Sequence, residues 1–267
     1  MNAKYAIAIA RFRLTLAYLE KTQIRKLAAA PSLPLHLVVA DSLLYGAREW
    51  TWELGQEADD PMAFGASYLL EDPRAAKDLF RQHFHAVVGN PPYITCKDSA
   101  LRDEYRKYYP KSAAGKYALA APFTECFFGL SVSGGSVGLI NANSFMKREF
   151  GKKLIEEVLK HKELTRVIDT SGPSFPAMAR PLCCCLAAIA PAAPRLRTVQ
   201  GKRGELDVPA DAEQGLVWSS TSRHFDEIGY EDEFISVADV SREMFDCHPW
   251  SLGVAGPAIS KSIWKRR

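Results

Sequence analysis

Four short, largely apolar runs, Leu35 to Ala40, His85 to Gly89 (HAVVG), Ser136 to Asn141 (SVGLIN) and Leu164 to Asp169 (LTRVID), recur along the chain with helical segments between them. Runs this short that are apolar almost throughout suit strands buried on both faces. The intervening segments have the other period. From Lys4 to about Lys21, Ile7, Ala10, Leu14 and Ala17 repeat at helical spacing without proline or glycine, and Lys116 to Leu130 and Ser144 to His161 also read as helices. Strands alternating with helices imply βαβ units. The predicted class is α/β, a mostly parallel sheet with helices on both faces.

The rest of the chain is less regular. Tyr45 to about Ala76, with Trp50 and Trp52 among acids, is expected to be a connecting excursion. Beyond Pro181 the pattern weakens: Cys183 to Ala190 suits a strand, and the Gly, Pro and charge-mixed stretch to about Gln214 suits a linker. Trp218, Phe225, Phe234, Phe245 and Trp250 then follow without a clear period. The expected division is a catalytic domain over 1–190 and a linker with the start of a C-terminal extension over 191–267.

With 47% hydrophobic and 24% charged residues in 267, the composition is that of a folded globular protein. A net charge of +3 implies no nucleic-acid partner by itself, so any such surface must come from local clusters. Two are present: Lys147, Arg148, Lys152 and Lys153, and the mixed stretch Arg102, Arg106, Lys107, Tyr108, Tyr109 and Lys111. No apolar run is long enough to span a membrane, and Arg11 and Arg13 interrupt the N-terminal one, so a cytoplasmic protein is expected. The six cysteines include no C-x-x-C pair. They are expected to be reduced, and Cys183, Cys184 and Cys185, alternating across a strand, cannot converge on one metal.

Asp41 and Asn90 each stand directly after a predicted strand, where ligands sit in open α/β sheets. Two prolines follow Asn90, so the strand must end there and a loop begin. The loop suits an exocyclic amine. The Asn90 amide oxygen can accept one of its hydrogens and the Pro91 carbonyl the other, while Pro91 and Pro92 hold both acceptors in place. Tyr93 offers a flat face on which a base can stack. Such a base would have to be flipped out of its duplex.

VVGNPPYI, Val87 to Ile94, resembles the catalytic motif of amino-methyltransferases, which modify adenine N6, cytosine N4 or a protein glutamine. The surrounding blocks narrow this: Lys116-Tyr117 with Pro122-Phe123 and Glu125, then GLINANSFMKREFGKKL from Gly138 to Leu154, then VIDTSG from Val167 to Gly172. Together they are similar to the large adenine-specific DNA methyltransferases of type I and type IIG restriction-modification, and among these to the methyltransferases of BREX phage-defence systems. ADSLL at Ala40 to Leu44 and HPWS at His248 to Ser251 are further correspondences, so the similarity runs from Ala6 to about Gly253.

The resemblance implies a Rossmann-like methyltransferase fold, S-adenosyl-L-methionine (AdoMet) as methyl donor, no metal, and double-stranded DNA as partner, with other defence-system subunits beside it. It gives Asn90, Pro91, Pro92 and Tyr93 the target-base pocket and places Asp41, with Asn90, against AdoMet. Lys116 and Tyr117 occupy a motif that helps shape the cleft on its DNA side, and Lys147 and Arg148 stand as phosphate contacts. The family's glycine-rich AdoMet loop, of the type F-x-G-x-G, is expected just before Met1 and does not occur in the sequence. Two further readings therefore remain: a catalytically inactive DNA-binding or complex-forming fragment, and a protein-glutamine or RNA methyltransferase, against which the Ser144 to Leu154 block weighs.

Overall fold

The structure, a computed structural model, describes residues 3–26, 28, 30–33, 35–46, 73–170, 182–188, 193–204 and 214–252. Trp50 and Trp52, Ser171-Gly172 of the VIDTSG block, Ala177 to Pro181 and Lys265-Arg266-Arg267 lie outside these residues. The chain divides into two compact units, Met1–His83 and Phe84–Arg267.

In the first unit the periodic N-terminal segment forms α1, Ala3–Thr22. Two shorter helices follow, α2 (Ser42–Tyr45) and α3 (Pro73–Phe80). Leu43, Leu44, Tyr45 and Ala76 are buried, and the rings of Tyr45 and Phe80 lie 6.3 Å apart. The strand expected at Leu35 to Ala40 is not there. Residues 35–39 form no ladder, and two bonds that close on themselves, Leu35 N–H to Leu33 O and Leu37 N–H to Leu35 O, turn the backbone locally. An apolar run becomes a strand only when a neighbour takes up its backbone groups.

The second unit is built on six strands: β1 (Phe84–Gly89), β2 (Ser131–Ala142), β3 (Glu163–Asp169), β4 (Leu182–Ala188), β5 (Arg195–Gly201) and β6 (Ile235–Ser241). Their order is β1-β2-β4-β3-β5-β6. β1–β2 and β3–β5 pair in parallel; β4 runs antiparallel between β2 and β3, and β6 antiparallel beside β5. Strands β1, β2, β3 and β5 thus share one direction, and their C-terminal ends share one edge.

One sheet face carries the larger core. There α5 (Ala120–Leu130) packs Ala121 and Phe128 with Val137 and Leu139 of β2, Leu164 and Val167 of β3, and Leu154, Ile155 and Leu159. On the other face α8 (Leu216–His224) adds Val217 to Ile168, Val199, Ile235 and Val237. Close to β1 that second face is open: Val88 is 78% exposed and Ile140 39%.

The helix expected over Ser144 to His161 is broken into α6 (Ser144–Lys147), α7 (Gly151–Lys153), a π-helical turn Leu154–Val158 and a 3-10 turn Leu159–His161. The break lies where the chain folds back on α6. A Cβ on Gly151 would stand 1.8 Å from the Phe145 carbonyl oxygen, so only glycine fits.

Residues 195–204 and 214–252, which fall in the stretch read from sequence as linker and extension, contribute β5, β6 and α8 to the sheet and core. Arg197 forms a side-chain pair with Asp239 across β5 and β6. Buried Arg242 donates to the carbonyls of Leu159, Lys160 and Lys162, the end of the 3-10 turn after α7. Trp250 is buried against Phe145 and Phe245, with ring centroids 5.6 and 5.0 Å away, and its main-chain N–H donates to Met146 O. His248 donates its backbone N–H to Glu156 Oε1. Among the described residues no helix is long and apolar enough to cross a membrane, and no three His, Cys, Asp or Glu side chains group as metal ligands.

Candidate functional site

β1 ends at Gly89, opposite Leu139 of β2, and the chain leaves the sheet at Asn90. A Cβ on Gly89 would meet the Phe127 ring at 2.5 Å; its absence lets α5 lie against the strand end directly under the loop. Pro91 is buried, Pro92 and Asn90 are exposed, and Tyr93 is half-buried. The loop is pinned at its far side, where Leu119 N–H donates to Ile94 O at 2.8 Å. The Tyr93 hydroxyl is hydrogen-bonded to Asn90 Oδ1 and lies 3.2 Å from the Ile140 carbonyl oxygen. Two prolines without N–H groups and a tyrosine hydroxyl that donates to its amide oxygen therefore present the Asn90 side chain at the sheet's C-terminal edge.

The excursion after the loop carries the mixed stretch of cations and tyrosines. Asp98 caps α4 (Ser99–Tyr108) by accepting from Ala100 N–H and Leu101 N–H at 2.9 and 3.2 Å. Tyr105 and Tyr109 are buried. Arg106 turns inward, donating to Gly115 O at 2.9 Å and lying 5.8 Å over the Tyr117 ring, and Lys107 pairs with Glu104. These cations mostly hold the excursion together.

Tyr117 is wholly buried, and its hydroxyl donates to Arg102 O at 2.7 Å. Burial pushes its pKa up to about 12. Tyr117 thus packs inside the excursion, whereas Lys116 beside it is exposed. The stretch Lys116 to Leu119 is loop, not the first turn of the helix, which starts at Ala120.

A residue not singled out for a role by sequence, Ser112, is buried and donates to Glu125 Oε2 at 2.6 Å, tying the excursion to α5. Burial raises the Glu125 pKa above the ordinary carboxylate range, with the Ser112 hydrogen bond opposing it. Glutamate inside an otherwise apolar helix (AAPFTECFFGL) was the available signal.

Lys147 and Arg148 are exposed at the C-terminal end of α6, which follows β2 and so leaves the same sheet edge as the Asn90 loop. Lys153 instead turns towards the excursion, donating to Pro110 O at 3.4 Å. Asp41 belongs to the first unit, where its Oδ1 caps α2 by accepting from Leu43 N–H and Leu44 N–H at 3.0 and 3.1 Å.

Residues 2–175, well over half of the chain, match the family model described as Eco57I restriction-modification methylase. The chain is 41% identical to the adenine-specific methyltransferase PglX of Streptomyces coelicolor over 276 residues, covering 97% of this chain and 23% of that protein. It is 32% identical to the type II methyltransferase M.BstVI of Geobacillus stearothermophilus over 89 residues, covering 32% of this chain and 16% of that protein. The chain thus spans about a quarter or less of the length of these relatives. A solved structure, the modification subunit of a putative type I restriction enzyme from Vibrio vulnificus, is similar over 61% of this chain and 35% of its own, at 12% identity and a TM-score of 0.47. The NPPY loop falls within the matched residues, and the chain belongs to the Eco57I restriction-modification methylase family.

Proposed function

We propose that the chain carries the target-base pocket of an AdoMet-dependent DNA methyltransferase that methylates adenine N6 in restriction-modification or phage defence. The observation that carries this is the Asn90–Tyr93 loop: a fixed amide oxygen, a proline carbonyl and an aromatic ring leave one sheet edge together, in a chain of this family. Family membership and the 41% identity to an adenine-specific methyltransferase support adenine over the other amines that the short motif serves.

In this reading a flipped adenine enters beside Tyr93, whose ring supports it by stacking. Asn90 Oδ1 and the Pro91 carbonyl accept the two amine hydrogens and turn the nitrogen lone pair outward. AdoMet supplies an activated methyl group on its sulfonium. The nitrogen–carbon bond forms as the carbon–sulfur bond breaks, and the amine releases one proton to water. Asp41 fits the role of an AdoMet contact: its carboxylate is held rigidly by the two N–H groups of α2, as an acceptor for an adenine ring amine must be. Asn90 is the second residue proposed as an AdoMet contact. Lys116, Lys147 and Arg148 take phosphates of double-stranded DNA, Tyr117 supports the wall behind them, and the enzyme works in the cytoplasm, beside other subunits of its system.

The test is direct. The chain, joined to the remainder of a relative where needed, is incubated with AdoMet and, side by side, duplex DNA, RNA and protein; N6-methyladenine in DNA alone is the expected product. Methylation of RNA or protein in its place would overturn the substrate, and no methylation of any of the three by the joined protein would overturn the activity.

A further inference from the structure

A tyrosine that served only as a stacking surface would need its ring and nothing more. The Tyr93 hydroxyl nevertheless has its one hydrogen directed to an acceptor: Asn90 Oδ1 three residues earlier lies within hydrogen-bond reach, with the Ile140 carbonyl oxygen as a more distant second acceptor at 3.2 Å. Ile140 lies near the C-terminal end of β2, one residue beyond Leu139, the last residue paired with β1, and opposite Cys184 of β4. Asn90 itself is exposed, and an exposed side chain exchanges rotamers within nanoseconds unless something holds it. An amide oxygen has two lone pairs, so a hydroxyl on one leaves the other for an incoming amine.

We infer that the Tyr93 hydroxyl is a positioning group for Asn90: by donating its hydrogen to the carboxamide oxygen it fixes the direction in which that oxygen points before the base arrives. Tyr93 then acts twice, through its ring on the base and through its hydroxyl on Asn90. The inference rests on the proposed function, and it separates two contributions that the motif presents as one residue. Fixing an acceptor in advance removes the ordering that would otherwise have to accompany each transfer.

The substitution Tyr93→Phe keeps the ring and deletes the hydroxyl. The chain has four asparagines, Asn2, Asn90, Asn141 and Asn143, so selective labelling of asparagine side-chain nitrogen leaves few enough signals to follow singly, with Asn90→Ala identifying the relevant pair. In Tyr93→Phe the Asn90 amide signals are expected to move and to relax as a mobile group, while those of Asn141 and Asn143 stay in place. In methyl transfer kcat is expected to fall about fivefold with KM for DNA unchanged, the size expected for one lost hydrogen bond. Unchanged Asn90 signals in Tyr93→Phe overturn the inference, as does an unchanged kcat in an active enzyme. If the parent protein transfers no methyl group, the proposed function fails, and the amide signals alone decide whether the hydroxyl positions Asn90.

Discussion

Ser112 Oγ donates a 2.6 Å hydrogen bond to Glu125 Oε2, joining the loop after α4 to the middle of α5. Burial is the largest influence on this carboxyl and raises its pKa from the ordinary value of 4.5. An acid whose folded pKa is raised contributes stability that is complete below its unfolded pKa and is lost as pH rises through its folded pKa. Stability should therefore decline with rising pH above 4.5, and Glu125→Gln should remove that component from urea unfolding measured between about pH 5 and pH 8. Ser112→Ala leaves the carboxylate without its donor and should cost about 1–3 kcal/mol at neutral pH.

Asn90 is exposed and lies at the end of a strand, so Asn90→Ala should leave the unfolding midpoint within about 0.5 kcal/mol of the parent. On the proposed mechanism the same change removes an acceptor of the target amine, and the yield of N6-methyladenine should fall on the order of a hundredfold or more. Mass spectrometry of digested duplex DNA reads the second effect and thermal melting the first.

Lys147 and Arg148 are exposed on the edge from which the Asn90 loop emerges. Replacing either with alanine should weaken DNA binding by a similar factor on unrelated sequences and lower the slope of log affinity against log salt by about one. Titrations at several salt concentrations measure this; an unchanged slope would remove the residue from the DNA surface.

Gly151→Ala places a methyl group on the Phe145 carbonyl, with 1.8 Å to its oxygen and 2.6 Å to its carbon. Backbone cannot yield as a side chain tip can, so the expected loss is about 3 kcal/mol. Trp250→Ala opens a cavity between Phe145 and Phe245 and should cost about 3–5 kcal/mol. Both are read by denaturant unfolding.

The sequence carried the sheet where strands are short, apolar and closed by a stop signal. HAVVG ends at Asn-Pro-Pro, and β1 ends at Gly89; LTRVID became β3. It misled at Leu35 to Ala40, because apolarity records burial, and Val39 is indeed buried, whereas a ladder also needs a partner that no local pattern specifies. The one-helix reading of Ser144 to His161 failed at Gly151, where the constraint is the distant-in-pattern carbonyl of Phe145. β5 was legible in principle: in RLRTVQG, Leu196 and Thr198 are buried while Arg195 and Arg197 are not, an alternation masked in the sequence by neighbouring prolines and glycines. At the candidate site, the approach of the Tyr93 hydroxyl to Ile140 and the inward turn of Arg106 were not legible, because they depend on which atoms the fold brings together across gaps of 47 and 9 positions.

Trp250, Phe245 and the Arg242 clamp lie far beyond residue 175, where the family match ends, yet they fill the core that supports α6 and the strands behind the pocket. Recombination between relatives that exchanged everything after residue 175 would bring in a foreign plug for this core. Viable chimaeras in this family should therefore carry Arg242, Phe245 and Trp250 over together with the strands they pack behind.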